Sequence, residues 1–327
     1  MKKTTKMACF LFTAIALLLS VPGQVFATTV DAVNQATLCN TPHTYEISAT
    51  SPEWAEMSLS ERLDACAVPA EEVENMTTSA LVETVINYPF LVNIYAYGSI
   101  EDGIEIVGSY FPALTELLCR EDASLALSDY LANTVSVSKT SNEDAFEALS
   151  AQELLLYSTG REELALSSNI SPRYSLVTDE TPNGTDITLF MDLTWADHGT
   201  TLNREQIITL EYTQTYPSLR ILAAQSPSYN CHSYAFVFQN TTNRFWLNDP
   251  IAFISDGSYV QTTNNGQGGL RVVYSYQGTD RWHSAITVQG GPRITVKSKW
   301  GPNALFQHYV DDCPYAISSV IRYYAKA

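Results

Sequence analysis

The chain has 327 residues, of which 35 are acidic and 18 are basic, so its formal net charge at pH 7 is −17. This charge excludes nucleic acid as a partner, because a strongly acidic surface repels phosphate backbones. It also disfavours tight electrostatic binding to anionic cell-wall polymers, and the chain length predicts two domains.

The first 27 residues have the pattern of a secretory signal peptide. Three lysines precede an apolar run from about residue 8 to residue 21, and Val25-Phe26-Ala27 fits a cleavage site. The run is too short to be a membrane span, and no later stretch is apolar for long enough to cross a bilayer. We therefore predict a secreted, extracellular protein without an integral membrane segment after cleavage. The oligomeric state is not predicted.

Cysteine usage leaves an odd number of thiols. One of the six cysteines, Cys9, lies in the predicted signal peptide, so five remain. In a secreted protein an odd count leaves at least one thiol unpaired. If a disulfide forms, we expect it between Cys66 and Cys119, which lie in predicted helices of one domain. The alternative is that none forms and that the thiols are buried like small apolar side chains.

Residues 28–165 are predicted to form a helical accessory domain. Residues 58–61 and 150–153 have the pattern of capping boxes. Residues 81–86 place Leu and Val on one helical face, and the Leu- and Ala-rich stretch 116–131 is also helical in character. Gly160 is a plausible helix stop. None of the polar residues here forms a pattern that indicates chemistry.

Residues 166–221 are predicted to be a linker followed by a β extension. Residues 166–184 are rich in Ser, Pro, Asn, Thr and Gly, which is typical of a long surface loop. Two short runs, 187–193 and 206–212, are predicted strands.

The remaining residues, 222–327, are predicted to fold as a short helix that begins near Cys231 and packs on an antiparallel sheet. Predicted strands cover 270–276, 284–288, 293–299 and 316–324, the last with a helix as the alternative. The whole chain is therefore expected to belong to the α+β class.

Cys231 and His283 are the candidate nucleophile and base. A cysteine in the first turn of a helix has its thiolate stabilised by unpaired backbone N–H groups, and the thiolate is the reactive form. His283 opens a predicted strand, from which it would face the helix. For each residue alone, burial for structural reasons is the alternative.

The group that orients His283 is predicted from the register of a hairpin. A turn centred on Gly290-Gly291 pairs residue 288 with 293 and hence His283 with Ser298, about 5 Å apart at Cβ. No Asp or Glu lies between His283 and Asp311, so a neutral side chain must orient the base. Ser298 is our first choice and His308 the second. Asn303 and Gln307 remain as weaker alternatives.

Three further assignments complete the predicted site. Gln225, six residues before Cys231, is a candidate oxyanion donor together with the Cys231 N–H. His232 is not expected to be the base, because adjacent helical residues do not face each other. No metal site is predicted, since no pair of Cys or His residues has the short spacing of structural zinc ligands.

Taken together, these residues resemble the superfamily of CHAP, NlpC-type and papain-like cysteine amidohydrolases and peptidases. Residues 231–235 are similar to the CHAP pattern of Cys, two residues, Tyr and Ala. Residues 271–274 and 283–286 resemble the two strands around the catalytic histidine. Residues 297–301 look like the papain segment in which Asn precedes Ser-Trp-Gly, and Gln225 matches the spacing of the papain oxyanion glutamine.

The resemblance covers about residues 222–327 and implies a papain-like catalytic domain. It implies hydrolysis of amide bonds in peptides, including those of peptidoglycan, through a thioester on Cys231 and without a cofactor. Two alternatives stay open: an inactive papain-like domain that acts as a binding module, and a transglutaminase-like acyl transferase.

Overall fold

The computed structural model describes residues 38–136, 141–160, 174–264, 266–276, 280–288 and 291–327. The predicted signal peptide, residues 1–27, and the first part of the predicted linker, residues 166–173, lie outside these ranges. The described chain begins as a helical region and continues as a sheet-rich region, so the α+β prediction is confirmed. Among these residues, no helix combines the length and apolar character needed to span a membrane.

The helical region contains seven α-helices and two 3₁₀ turns within the described ranges. The 3₁₀ turns are Pro52–Ala55 and Leu91–Tyr95. The helices are α1 Leu59–Ala65, α2 Ala70–Asn75, α3 Thr78–Ile86, α4 Ile100–Tyr110, α5 Pro112–Cys119, α6 Ala123–Ser136 and α7 Asn142–Thr159.

Local capping explains where two of these helices begin and end. The predicted box at residues 58–61 is confirmed, because Ser58 and Glu61 satisfy each other's backbone N–H groups. The predicted box at residues 150–153 is wrong. Helix α7 already begins after a box formed by Ser141 and Asp144, and residue 150 is buried inside it. Gly160 ends α7 in the left-handed conformation, φ 63°, which glycine adopts without steric cost.

A small sheet and an eighth helix connect the two regions. Strands β1 (Ser175–Glu180), β2 (Asp186–Met191) and β4 (Phe245–Trp246) form a three-stranded antiparallel sheet. The strand predicted at residues 206–212 is wrong, because this segment lies inside α8, Leu202–Thr215. Its buried residues 205, 208, 209, 212 and 215 follow helical rather than alternating spacing.

Seven strands form the main sheet, all paired antiparallel in the order β3-β9-β8-β7-β6-β10-β5. Their bounds are β3 Arg220–Ala223, β5 Tyr259–Thr262, β6 Arg271–Tyr276, β7 Asp280–Thr287, β8 Thr295–Lys299, β9 Leu305–Tyr309 and β10 Ser319–Lys326. Two short helices, α9 (Cys231–Phe236) and α10 (Ile251–Ser255), precede β5. The predicted last strand is confirmed as β10.

The β7–β8 register differs from the predicted one by two residues. Ile286 pairs with Lys297 and Thr287 with Val296, so Ala285, not His283, lies opposite Ser298. The connection is longer than a turn centred on Gly290-Gly291, because Pro292 cannot donate an N–H to a tight hairpin. A shift of two residues leaves His283 and Ser298 on the same face of the sheet.

One hydrophobic cluster runs through both regions. It includes Trp54 and Phe90 from the helical side and Val272, Trp300 and Phe306 from the sheet. A buried salt bridge between Arg62 and Asp312 crosses the same boundary, and Trp54 Nε1 donates to Thr215 O at 2.9 Å. The helical region therefore packs directly on the sheet that carries the candidate site.

Close packing in the helical region gives a test of the fold. A Cβ on Gly103 in α4 would lie 1.9 Å from Ile94 O, and backbone cannot move aside cheaply. We expect Gly103→Ala to lower the free energy of unfolding by about 1–3 kcal/mol in a urea titration. Gly108→Ala in the same helix is the control. Its Cβ meets only the side chain of Thr115, so helix propensity should offset the clash.

None of the five cysteines within the described residues forms a disulfide. The expected Cys66–Cys119 disulfide is therefore wrong: Cys66 is buried in the helical core and Cys119 is exposed at the end of α5. The stability of this part of the chain rests on packing and hydrogen bonds.

Candidate active site

Asn230 fixes the start of helix α9 and hence the position of Cys231. Its side-chain oxygen accepts from the N–H of Ser233 at 3.0 Å, and its amide group donates to Leu247 O at 2.7 Å. Cys231 is the first residue of α9, and every residue of this helix is buried. The local sequence thus places the thiol at a rigid corner between α9 and the segment around Leu247.

The Cys231 thiol is buried against strand β7. Burial raises the pKa of this thiol to about 11, while the backbone N–H groups of Ser284, His232 and Cys231 itself and the charge of Lys299 act in the opposite direction. The thiol is therefore protonated at neutral pH. If a thiolate forms, three backbone donors are already in place to stabilise it.

His283, on β7 beside Ser284, is almost fully buried. Its ring stacks on that of Tyr315, with centroids 3.6 Å apart and planes within 1°. Its Nε2 atom is buried and has no hydrogen-bond partner among the described residues. Burial lowers the pKa of His283 well below its usual value, and the neighbouring His308 and His232 lower it further. The imidazole is therefore neutral and able to accept a proton.

Ser298 binds His308, the second candidate orienter. His308 Nδ1 lies 2.8 Å from Tyr309 O, so this nitrogen carries the hydrogen. Nε2 is then the acceptor for the Ser298 hydroxyl at 2.8 Å. Trp300 Nε1 donates to the same hydroxyl at 2.8 Å. One lone pair of the Ser298 oxygen remains able to accept a hydrogen bond. The role of Ser298 in orienting His283 stays a prediction.

Gln225 is held in a buried polar chain. Its amide donates to Thr209 Oγ1 at 2.8 Å, and Thr209 in turn donates to Asn303. Asn303 donates to the buried carboxylate of Glu205. In this structure the Gln225 amide therefore donates to Thr209, and its role as oxyanion donor stays a prediction. Gln307, a weaker alternative to Ser298, pairs with Lys297 and Arg220 in the sheet.

Lys299, which follows Ser298, is a buried cation near the thiol. Its ammonium donates to the backbone oxygens of Ser226 and Gly301, at 2.9 and 2.6 Å, and to that of Asn303. Burial lowers the pKa of Lys299 to about 7, against the opposing charges of Glu205 and Cys231. Three carbonyl acceptors match the three N–H bonds of a charged ammonium. Lys299 thereby joins the segment before Cys231 to the turn after β8.

A cavity of about 540 Å³ lies next to the start of helix α9, and neither Cys231 nor His283 is among its lining residues. Its lining includes Asn230 and His232, the two neighbours of Cys231, together with Tyr315. Helix α4 contributes Asp102 and Glu105 to the opposite wall. The helical region therefore forms part of the cleft, which its sequence did not indicate.

A second cavity of about 400 Å³ adjoins the first and shares Tyr97, Trp246 and Gly301 with it. Arg204 in its wall forms salt bridges with Glu153 at 2.7 Å and with Glu205 at 3.3 Å. Within the described ranges, no group of three or more Cys, His, Asp or Glu side chains could hold a metal ion.

The buried histidines predict sensitivity to acid. Burial lowers the pKa of His308 to about 4, and that of His283 also lies below its usual value. Below pH 6.5 the unfolded chain binds protons at both side chains that the folded chain does not bind, for His308 down to about pH 4. Stability must therefore fall as pH falls. We expect His308 alone to account for about 3 kcal/mol. Urea titrations of His308→Gln across this window should show a shallower decline, and an equal decline would contradict the assignment.

Sequence reasoning missed two features of this site. Tyr315 was not singled out, because its role depends on a loop between β9 and β10 that brings it back onto β7. His232 was set aside as a base, yet it lines the cleft, and its Nδ1 lies 2.8 Å from Ser284 Oγ.

The structure brings Cys231 to strand β7 at the backbone of Ser284. His283 stacks on Tyr315, Ser298 binds His308, and Gln225 binds Thr209. Comparisons of the chain with protein-family models, with curated proteins and with solved structures each found no match.

Proposed function

We propose that the protein is a secreted cysteine hydrolase that cleaves amide bonds in peptides, with Cys231 as nucleophile and His283 as base. One observation carries the proposal: the Cys231 thiol, stabilised as thiolate by the backbone N–H groups of Ser284, His232 and Cys231, lies against strand β7, and its neighbours Asn230 and His232 line a cleft. The peptide stems and cross-bridges of peptidoglycan are the candidate substrates outside the cell. No cofactor is needed.

The reaction begins with the neutral thiol and the neutral imidazole. As the Cys231 sulfur attacks the substrate carbonyl, its proton passes to His283 and an S–C bond forms. His283 then gives this proton to the leaving amine, and a thioester remains. Water attacks the thioester while His283 takes one of its protons. The carboxylic acid leaves, and the proton returns to the sulfur.

Burial of Cys231 and His283 disfavours a thiolate–imidazolium ion pair in the resting protein. The proton is therefore transferred while the sulfur attacks. A thiol with a pKa of about 11 and an imidazole with a lowered pKa are both neutral at pH 7. Lys299 and the N–H groups at the sulfur stabilise the negative charge that develops. The mechanism resembles general-base catalysis by serine hydrolases more closely than catalysis by a preformed thiolate–imidazolium pair.

The test is release of amines from peptide substrates. The secreted chain is incubated with purified peptidoglycan and with a mixture of short peptides at pH 5–9, and new amino groups are counted after dinitrophenylation. We expect release by the native protein, together with an acid-trapped thioester that mass spectrometry locates at Cys231. Absence of release and of thioester across this range would contradict the proposal.

The second candidate function is a binding module that uses the same cleft without catalysis. The specific observation in its favour is the lack of a hydrogen bond at His283 Nε2 among the described residues. This function predicts that peptidoglycan fragments bind with equal affinity to the native protein and to Cys231→Ala, with no release of amines. An acyl transferase would instead release more amine product when an acceptor amine is added.

A further inference from the structure

The buried aromatic residue Tyr315 has no role in the mechanism described above, although it contacts three parts of the site. Its ring is stacked on His283, it lines the cleft, and it lies within electrostatic range of the Cys231 thiol. It belongs to a short 3₁₀ turn, Pro314–Ala316, in the loop that connects β9 to β10.

Among the described residues, this stack is the closer of the two ring contacts of His283. Tyr274, directly opposite His283 on β6, also touches it, but with centroids 5.6 Å apart and a tilt of 52°. Nε2 is buried without a hydrogen-bond partner among the described residues. A base normally needs a neighbour that fixes its orientation, and here the neighbour with the best geometry is an aromatic face.

Tyr315 is itself held from several sides. Trp300 meets its ring edge-to-face at 5.6 Å, and Tyr97 does so at 5.9 Å. The hydroxyl of Tyr97 also donates to Pro314 O at 3.2 Å. The helical region therefore fixes the turn that carries Tyr315, and through it the ring that packs on His283.

We propose that Tyr315 is a positioning residue that holds the His283 imidazole in place by ring stacking, in the role that a hydrogen-bonding side chain would otherwise have. This inference rests on the proposed function, because it gives His283 the role of base toward Cys231. The ring of Tyr315 is what matters, and its hydroxyl is dispensable for this role.

The experiment measures the rate at which iodoacetamide alkylates Cys231 between pH 6 and 10, with each labelled cysteine located by mass spectrometry. In this step an S–C bond forms, iodide leaves, and the thiol proton passes to the base. The exposed Cys39 is the internal reference for the reagent, and the buried Cys66 reports unfolding. The variants are Tyr315→Phe, Tyr315→Leu and His283→Ala, with Tyr212→Leu as the control for loss of a buried tyrosine.

We expect Tyr315→Phe to keep the native rate and pH profile. We expect Tyr315→Leu to slow Cys231 labelling about tenfold or more and to reproduce the pH profile of His283→Ala, since a positioned general base contributes about 10²–10⁴-fold. Tyr212→Leu should retain the native profile, because Tyr212 packs on Trp300 and not on His283. Labelling of Cys66 in Tyr315→Leu would show that this variant unfolds. Tyr315→Met, whose flexible side chain fills the same space, is then used in its place.

Two results would overturn the inference. One is a native rate and pH profile of Cys231 alkylation in Tyr315→Leu while His283→Ala remains slow. This result would support the Cys231–His283 pair and show that Tyr315 does not position His283. The other is a fall in the alkylation rate of Tyr315→Phe as large as that of Tyr315→Leu. This result would show that the hydroxyl of Tyr315, and not its ring, positions His283. A native profile in His283→Ala is a different outcome, because it contradicts the proposed function itself.

Discussion

Replacing Cys231 by alanine is expected to remove amide hydrolysis, with a loss of at least about 10⁴-fold in kcat/KM. The covalent route requires the sulfur, and no other described cysteine lines the cleft. We expect the loss to appear in kcat, because the substitution leaves cleft-lining residues such as Trp282 and Asp102 unchanged. The measurement is the rate of amine release under conditions where the native protein is active.

Cys66→Ala is the matched control for this prediction. Cys66 is also buried and free, but it lies in the helical core, so its removal should lower stability without changing kcat. If Cys231→Ala and Cys66→Ala reduce activity equally, the effect of Cys231 is on folding, and the sulfur is not the nucleophile.

Replacing Arg62 by methionine is expected to lower the free energy of unfolding by about 3–5 kcal/mol. Arg62 is paired with Asp312 inside the protein, and the two side chains are only 2% and 6% exposed. The substitution leaves the Asp312 carboxylate buried without its cation and removes a hydrogen bond from Arg62 to Thr215 O at 2.8 Å. Urea unfolding of the native protein and the variant measures the difference.

Two controls separate the buried charge from other causes. The double variant Arg62→Met/Asp312→Leu should recover part of the loss, because an apolar pair leaves no charge without a partner. Arg293→Met removes an exposed pair with Asp311 and should cost less than about 1 kcal/mol. A double variant as unstable as Arg62→Met would show that packing of the arginine chain, and not Asp312, explains the effect.

The Arg62–Asp312 pair also holds the loop that carries Tyr315, because Asp312 belongs to this loop. Arg62 lies in α1 of the helical region, and this region also contributes Asp102 and Glu105 to the cleft. The sequence predicts residues 28–165 to be an accessory domain. In the structure these residues support the loop and one wall of the candidate site.

The candidate nucleophile and base follow from the sequence alone, because a cysteine at the start of a predicted helix and a histidine next to a predicted strand are local patterns. In the structure His283 lies inside β7, the central strand of the main sheet. The α+β class, the capping box at Ser58 and the stop at Gly160 are predictable for the same reason. The strand predicted at residues 206–212 fails because β-branched residues there belong to a helix whose buried face is fixed by packing.

Contacts between distant residues were decided only by the tertiary structure. The β7–β8 register depends on how the chain passes Pro292, and it places Ala285 instead of His283 opposite Ser298. The stack joins Tyr315 of the β9–β10 loop to His283 of strand β7. The burial that keeps Cys231 and His283 neutral also comes from tertiary packing. Local pattern determined which residues could react, and long-range packing determined their partners and their protonation, because burial and cross-strand pairing depend on residues far apart in the chain.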